Sequence, residues 1–166
     1  APAVLSPYNV PVEQVYGAIK AMGFSEIIEV AQGAMVTTDK ETEEFKERME
    51  NGEPFMTTSC CPSYIEMAEK HIPELKKYIS TTKSPMYYTA EIAKDMYPGA
   101  KLVFIGPCIA KRKEALKHGN VDYVMTFEEL NAAFEGMGIE IKEDQTYTVS
   151  HVSSRDAHGF AQTGGV

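Results

Sequence analysis

The chain has 166 residues, 43% of them apolar and 24% charged, a balance typical of one globular domain with a substantial core. Its formal net charge of −8 disfavours a nucleic-acid groove or an anionic membrane surface, because both require clustered Lys and Arg. No apolar run approaches the roughly 20 residues that a membrane span needs. Three cysteines cannot all pair and no signal peptide is visible, so a cytoplasmic location is expected. The absence of an initiator Met indicates a piece cut from a longer protein.

The first half of the chain is predicted to alternate strands with helices. Pro11 opens a helical pattern that Gly23 ends. Thr38 and Glu41 have the spacing of a capping box, which predicts that a charged helix begins there and runs to about residue 50. Strands are expected at residues 1–5, 26–30 and 54–58.

The second half continues the alternation. Helices are predicted at residues 63–70 and 84–96, with a third from Thr126 to a cap near residues 136–138, and strands at 101–105 and 121–125. The predicted fold class is therefore α/β, a mostly parallel sheet flanked by helices on both faces. Residues 1–141 are expected to form this core, and the Gly-rich residues 142–166 an irregular segment.

The three cysteines lie in two segments, TTSCCP and GPCIAK, each predicted to follow a strand, where an open α/β sheet presents ligand-binding side chains. Neighbouring cysteines form no ordinary disulfide with each other. One of Cys60 and Cys61 is therefore expected to bind a metal, while the thiol of the other faces elsewhere. The alternative is a pair of small core residues. Pro62 and Pro107 fix the backbone beside Cys61 and Cys108, which favours loops that hold a cluster.

Charged residues around these segments allow two interpretations. Lys111, three residues after Cys108, could donate to an anionic ligand or remain a solvated lysine. Glu41 and Glu44 share one helical face, with Arg48 one turn further, and this spacing fits either a proton relay or a solvated charged stripe. Spacing alone leaves both alternatives open.

The chain resembles the catalytic domain of the [FeFe]-hydrogenases along essentially its whole length. Residues 58–64 match the family signature TSCCP followed by a small residue and an aromatic one. Pro107, Cys108, Lys111 and Glu114 match a second signature, P-C-x-x-K-x-x-E. Further matches in the family's order are Ala1-Pro2-Ala3, Lys83-Ser84-Pro85 and Thr163-Gly164-Gly165-Val166.

The resemblance implies a [4Fe–4S] cluster linked to a di-iron subsite, together the H-cluster. Cys61 and Cys108 would supply two of its four thiolates. Cys60 would face the di-iron subsite and pass it protons, and Lys111 would hold a cyanide ligand by a charge-assisted hydrogen bond. The fragment itself is expected to carry this cofactor incompletely or not at all.

The resemblance also implies a proton path and a ligand pocket. The path runs through Glu44, Ser80 and Glu41 to Cys60, with Arg48 near its mouth. Phe160 and Val166 would line an apolar pocket around the open iron, and backbone groups near Pro2 together with Ser84-Pro85 would help Lys111 hold the cyanide. Ala1 and Pro107 complete the residues expected to bind the cofactor.

The chain departs from the family pattern at several points. The third signature, which carries the other two cluster cysteines, does not occur before Val166. Gly106 stands where prototypical members have Met, Tyr64 replaces Trp, Met86 replaces Gln and Ala161 replaces Gly. Changes close to the di-iron site resemble the sensory or regulatory branch of the family.

The expected function is that of one lobe of a two-lobed active-site domain, whose parent interconverts protons and electrons with H₂. Its partners would be the C-terminal lobe and a ferredoxin-like or intramolecular iron–sulfur electron carrier, with no nucleic acid and no membrane span. Two alternatives stay open: a non-catalytic iron–sulfur carrier or scaffold, and an H₂-sensing module. Cys60 and Lys111 argue against the first alternative, whereas Gly106 favours it.

Overall fold

The structure, a computed structural model, describes residues 8–150, so the strand predicted at residues 1–5 lies outside it. Within that range no helix combines the length and apolar character needed to cross a bilayer. The elements in chain order are α1 Val12–Ala21, α2 Ala31–Glu50, α3 Pro62–His71, a 3₁₀ helix Pro73–Tyr78, α4 Pro85–Met96, β1 Val103–Gly106, α5 Lys111–His118, β2 Tyr123–Thr126 and α6 Phe127–Met137.

The two strands pair in parallel, with Val103 opposite Tyr123 and Gly106 opposite Thr126. Parallel neighbours need a crossover connection, and α5 provides it between β1 and β2. Both strands fall within two residues of their predicted positions. The α/β class and the parallel pairing are therefore confirmed.

Successive side chains of a strand point to opposite faces of the sheet, and here the apolar side chains on each face pack against helices. On one face Ile105 and Met125 pack against residues of α1 and α6: Val15, Ala18, Ile19, Phe127, Leu130 and Phe134. On the other face Phe104 and Val124 pack against Met86, Ala90, Ala115 and Val121. The prediction of helices on both faces is confirmed for the part of the chain described.

Two helices begin next to the residues at which the sequence predicts their starts, Ser84 and Thr126. The Ser84 hydroxyl accepts a hydrogen bond from the Tyr87 N–H at 3.4 Å and starts α4. Thr126 and Glu129 form a reciprocal capping box at the start of α6. Gly138 ends α6 at φ 66°, a left-handed conformation that favours glycine.

The capping box predicted at Thr38 is wrong. Helix α2 begins at Ala31, so Thr38 lies inside it and donates its hydroxyl hydrogen to the Ala34 carbonyl at 2.9 Å. The first turns of α2 carry small buried residues, including Gly33, that let it pack closely on α4. Glycine weakens an isolated helix, so only this packing explains why the helix extends across it.

The strands predicted at residues 26–30 and 54–58 are also wrong. Residues 26–29 adopt no regular structure, and Ile27 packs on the core without a ladder partner among the described strands. In the second segment only Thr57 pairs, in a single parallel bridge with Ile79. Apolar residues at these positions therefore mark packing against helices rather than strand pairing.

Replacement of Gly33 by Ala is expected to destabilise the protein by about 1–3 kcal/mol, because overpacking forces neighbouring backbone to move. An added Cβ would lie 2.1 Å from the Pro85 carbonyl oxygen and 2.3 Å from Thr89 Oγ1. Gly136→Ala is the matched control, since a Cβ there meets nothing within 4 Å and should stabilise α6 by about 0.5–1 kcal/mol. Urea unfolding followed by circular dichroism measures both; equal stabilities would contradict the close contact of α2 with α4.

Candidate active site

The predicted site residues gather where three helices begin. Cys61 is the N-terminal flanking residue of α3, Ser84 that of α4, and Ala110 that of α5. Cys108 follows β1 directly, as predicted. Cys60 and Cys61 instead follow the single bridge at Thr57, so a loop and not a strand delivers them.

Lys111 connects the two cysteine segments. It is the first residue of α5, and its Nζ donates to the Cys60 carbonyl at 3.0 Å and to Glu114 Oε2 at 2.6 Å. Its side chain is only 14% exposed, so it is not a solvated lysine. Ser84 donates its hydroxyl hydrogen to the other oxygen of the buried Glu114 carboxylate. One ammonium and one carboxylate thus join the beginnings of α4 and α5 to the Cys60 loop.

The three thiols are free and differ in their surroundings. Cys61 is exposed, whereas Cys60 and Cys108 are half-buried. An exposed Cys61 does not fit a pair of buried core residues. Burial raises the pKa of the Cys60 thiol, while a hydrogen bond with Thr58 opposes this rise. Adjacent cysteines therefore occupy different environments.

The donor set suits an iron–sulfur cluster in kind, because thiolates at accessible loops are its usual ligands. Cys61 and Cys108 lie in segments that Lys111 brings together. Residues 8–150 nevertheless contain no group of three or more His, Cys, Asp or Glu side chains placed to hold a metal. Within the described residues, the two cysteine segments therefore meet without forming a complete metal-binding group.

Glu41 faces the Cys60 loop. Its Oε2 accepts a hydrogen bond from Thr58 Oγ1 at 3.2 Å, and its Oε1 accepts one from the Ser59 N–H at 3.2 Å. This carboxylate is therefore docked on the loop rather than part of a solvated stripe. Neither Thr58 nor Ser59 was among the predicted site residues, although both lie inside the first cysteine signature.

Glu44 receives more hydrogen bonds than Glu41. Its carboxylate accepts from Ser80 Oγ at 2.7 Å, from Arg48 at 2.7 Å and from the N–H groups of Thr81 and Thr82. Burial by itself would raise the pKa of Glu44, but these hydrogen bonds outweigh it and lower the pKa to about 2. The hydroxyl-rich run of residues 80–82 was the sequence signal for this carboxylate-binding loop.

The two carboxylates share one face of α2, as their spacing predicts, yet they reach different loops. Ser80 bonds to Glu44, and Thr58 bonds to Glu41. Across residues 8–150, no hydrogen bond joins Glu41 to Ser80 or directly to Cys60. Each carboxylate is thus held by its own loop.

The predicted pocket residues are only partly described. Ser84 and Pro85 are buried at the start of α4, and Pro107 is exposed after β1. Ala1, Pro2, Phe160 and Val166 lie outside the described residues.

A cleft of about 360 Å³ opens between α3, the segment 79–84 and α5, and Ser80, Ser84 and Glu114 line it. A larger cavity of about 510 Å³ lies between residues 23–30 and β1. None of the predicted site residues lines the larger cavity, and neither cavity is lined by Lys111 or a cysteine. The hydrogen bonds around Lys111 and Glu41, and not a cavity, therefore identify the candidate site.

Glu44→Gln should lower stability near neutral pH and flatten its acid dependence. The pKa of Glu44 falls from 4.5 to about 2 on folding, so its contribution is present above about pH 4.5 and is lost as pH falls towards 2. Urea midpoints measured across this range test the prediction. Glu47→Gln, an exposed change on the same helix, is the control and should behave like the wild type. Identical pH profiles for Glu44→Gln and the wild type would contradict it.

The chain matches the model of the family described as iron only hydrogenase large subunit, C-terminal domain, over residues 2–166. Iron hydrogenase 1 of Clostridium pasteurianum is 36% identical over 133 residues, covering 70% of this chain and 23% of that protein. The periplasmic [Fe] hydrogenase large subunit of Nitratidesulfovibrio vulgaris is 30% identical, covering 95% of this chain and 42% of that subunit. Because that relative is periplasmic, the cytoplasmic location stays a prediction.

A relative of another kind also matches. The cytosolic Fe-S cluster assembly factor NAR1 of Kluyveromyces lactis is 28% identical over 127 residues, covering 75% of this chain and 26% of that protein. The chain thus spans less than half the length of each of these curated relatives.

Solved structures of [FeFe]-hydrogenases also superpose on this chain. A HydA structure that records stepwise H-cluster assembly superposes with a TM-score of 0.79 at 28% identity, covering 90% of this chain and 44% of that one. An apo HydA1 variant from Chlamydomonas reinhardtii also superposes at 0.79, again covering 90% of this chain. The chain therefore belongs to the iron-only hydrogenase large-subunit family, whose C-terminal domain it matches over residues 2–166.

Proposed function

We propose that the full-length protein interconverts protons and electrons with H₂, and that this chain forms one wall of its H-cluster site. The observation that carries the proposal is the contact of Lys111 with the Cys60 carbonyl at 3.0 Å. This contact brings together the two cysteine signatures, whose residues would have to serve one cofactor. Family membership supports the same conclusion.

Cys61 and Cys108 would hold the [4Fe–4S] part of the cofactor as thiolates. Lys111 would bind an anionic cyanide ligand, with Ser84, Pro85 and Pro107 beside it. Ala1, Pro2, Phe160 and Val166 complete the proposed pocket. When bound, the cluster supplies the redox chemistry and the iron at which H₂ reacts.

The chain's own task would be to hold and move protons. A thiol whose pKa is raised by burial keeps its proton near neutral pH, which suits Cys60 as the inner donor. Glu41 would exchange protons with Cys60, while Ser80 and Glu44 would extend the path toward Arg48. Electrons would come from an iron–sulfur carrier, and the second lobe would complete the site.

A second candidate is a non-catalytic iron–sulfur protein, which the similarity to NAR1 favours. Gly106 supports it as well. A Cβ on Gly106 would lie 2.5 Å from Phe104 Cε1, so the Phe104 ring takes the space that a longer side chain would need. The wall beside the proposed cluster therefore differs from that of family members with Met at this position.

Cysteine replacements in the full-length protein separate these two candidates. Cys60→Ala should abolish most H₂ production while iron and labile sulfide stay at wild-type levels, because Cys60 is proposed as a proton donor and not as a ligand. Cys61→Ala should lose iron, because it removes a thiolate. Gas chromatography and iron analysis measure the two effects.

Loss of the cluster in Cys60→Ala would contradict the division of roles between the adjacent thiols. A wild-type protein that holds the cluster but neither makes nor consumes H₂ would overturn the catalytic proposal in favour of the non-catalytic one.

A further inference from the structure

We propose that Glu114 is a positioning residue, whose carboxylate holds the Lys111 ammonium against the Cys60 loop so that it can bind an anionic ligand of the proposed cofactor. The inference deepens the proposed function and rests on it. Glu114 lies in the second cysteine signature, but neither the proposed proton path nor the proposed pocket includes it. The side chain is buried, and both of its carboxylate oxygens accept hydrogen bonds from other residues.

Helix α4 fixes the position of the Glu114 carboxylate. Glu114 Oε1 accepts a hydrogen bond from the Ser84 hydroxyl. The oxygen of that hydroxyl accepts the Tyr87 N–H at 3.4 Å, so Ser84 is itself held at the first turn of α4. Glu114 Oε2 accepts from Lys111 Nζ at 2.6 Å. The carboxylate therefore connects the ammonium to an anchor that lies outside α5.

Lys111 requires such an anchor because of its place in the fold. It is the first residue of α5, and a helix N-terminus carries partial positive charge that disfavours a cation. The side chain is largely buried, so water stabilises the ammonium poorly. Glu114, one turn further along α5, supplies the opposite charge. Without this carboxylate, we expect the flexible lysine side chain to turn toward solvent.

The ammonium held in this way keeps one hydrogen for a ligand. A lysine ammonium carries three hydrogens. Its acceptors in the described part of the chain are Glu114 and the Cys60 carbonyl at 3.0 Å. The Lys111 backbone N–H also donates to the Cys108 carbonyl at 3.3 Å. One residue thus contacts both cysteine segments, and its third ammonium hydrogen is left for an anion.

Chemical labelling of the full-length protein, prepared without its cofactor, tests the positioning of Lys111. Acetic anhydride acetylates accessible lysines, and mass spectrometry of the peptides reports each site. Glu114→Gln keeps the shape and removes the charge, so labelling of Lys111 should rise several-fold. Ser84→Ala loosens the carboxylate and should raise the labelling less. Glu66→Gln is the matched control, because Glu66 pairs with Lys113 of the same helix at the surface, and should leave Lys111 protected.

Circular dichroism checks that the variants stay folded. Unchanged labelling of Lys111 in folded Glu114→Gln would overturn the inference. Where Glu114→Gln unfolds, the labelling of Lys111 in Ser84→Ala decides in its place.

Infrared spectroscopy of the cluster-loaded, full-length protein tests the contact with the anionic ligand. Glu114→Gln should shift a cyanide band in the same direction as Lys111→Gln does, and H₂ production should fall about 100-fold, the effect of a displaced binding group. The double variant should be no slower than Lys111→Gln, because Glu114 acts only through Lys111. A carboxylate with a purely structural role would lower stability and leave the cyanide bands in place, and that result would overturn the inference.

Failure of the proposed function gives a different result. Absence of H₂ turnover in the loaded wild-type protein would overturn the proposed function, whereas labelling reports the position of Lys111 whether or not the protein turns over H₂. Wild-type turnover with unshifted cyanide bands in Glu114→Gln would overturn the role of Glu114 alone.

Discussion

The arrangement of the site depends on one buried ion pair. Lys111 and Glu114 lie one turn apart at the start of α5, with side chains 14% and 9% exposed. A buried ammonium is costly unless it is paired and hydrogen-bonded, and here Lys111 donates to Glu114 and to the Cys60 carbonyl. The pair therefore holds the Cys60 loop against α5, and Ser84 extends the contact to α4.

Three helix N-termini converge around this ion pair, those of α3, α4 and α5. The N-terminal ends of helices carry partial positive charge and unpaired N–H groups, which favour nearby anions. Cys61 and Cys108 lie next to two of these termini. The fold thus brings both cysteines next to helix N-termini, a placement that depends on the path of the backbone.

Helix α2 supplies the carboxylates from a separate direction. Glu41, Glu44 and Arg48 lie on one face of it, and its packing on α4 through Gly33 sets their distance from the loops that they bind. The two carboxylates differ in the number of their hydrogen bonds. Glu44 accepts from many donors, which keep it ionised, whereas Glu41 accepts from two groups of the Cys60 loop. A shift of α2 would therefore disturb both carboxylates together.

The sequence by itself determined the features that depend on local chemistry and on motif order. These include the α/β class, the parallel pair β1 and β2, the helix starts at Ser84 and Thr126, and the family, whose two cysteine signatures stand in order along the chain. Each is decided by residues close together in the chain or by a pattern that tolerates a shift of one or two positions.

Only the tertiary structure decided where α2 begins and that residues 26–29 and 54–56 form no strand. It also decided that Lys111, Glu41 and Glu44 bind other parts of the chain instead of facing solvent. It also decided that Thr58, and not its neighbour Thr57, meets Glu41. The physical reason is common to all of these. A partner distant in the chain is needed for each of them: for a helix to extend across Gly33, for an ammonium to be buried and for a carboxylate to be bound by a loop. Local sequence spacing does not identify that partner.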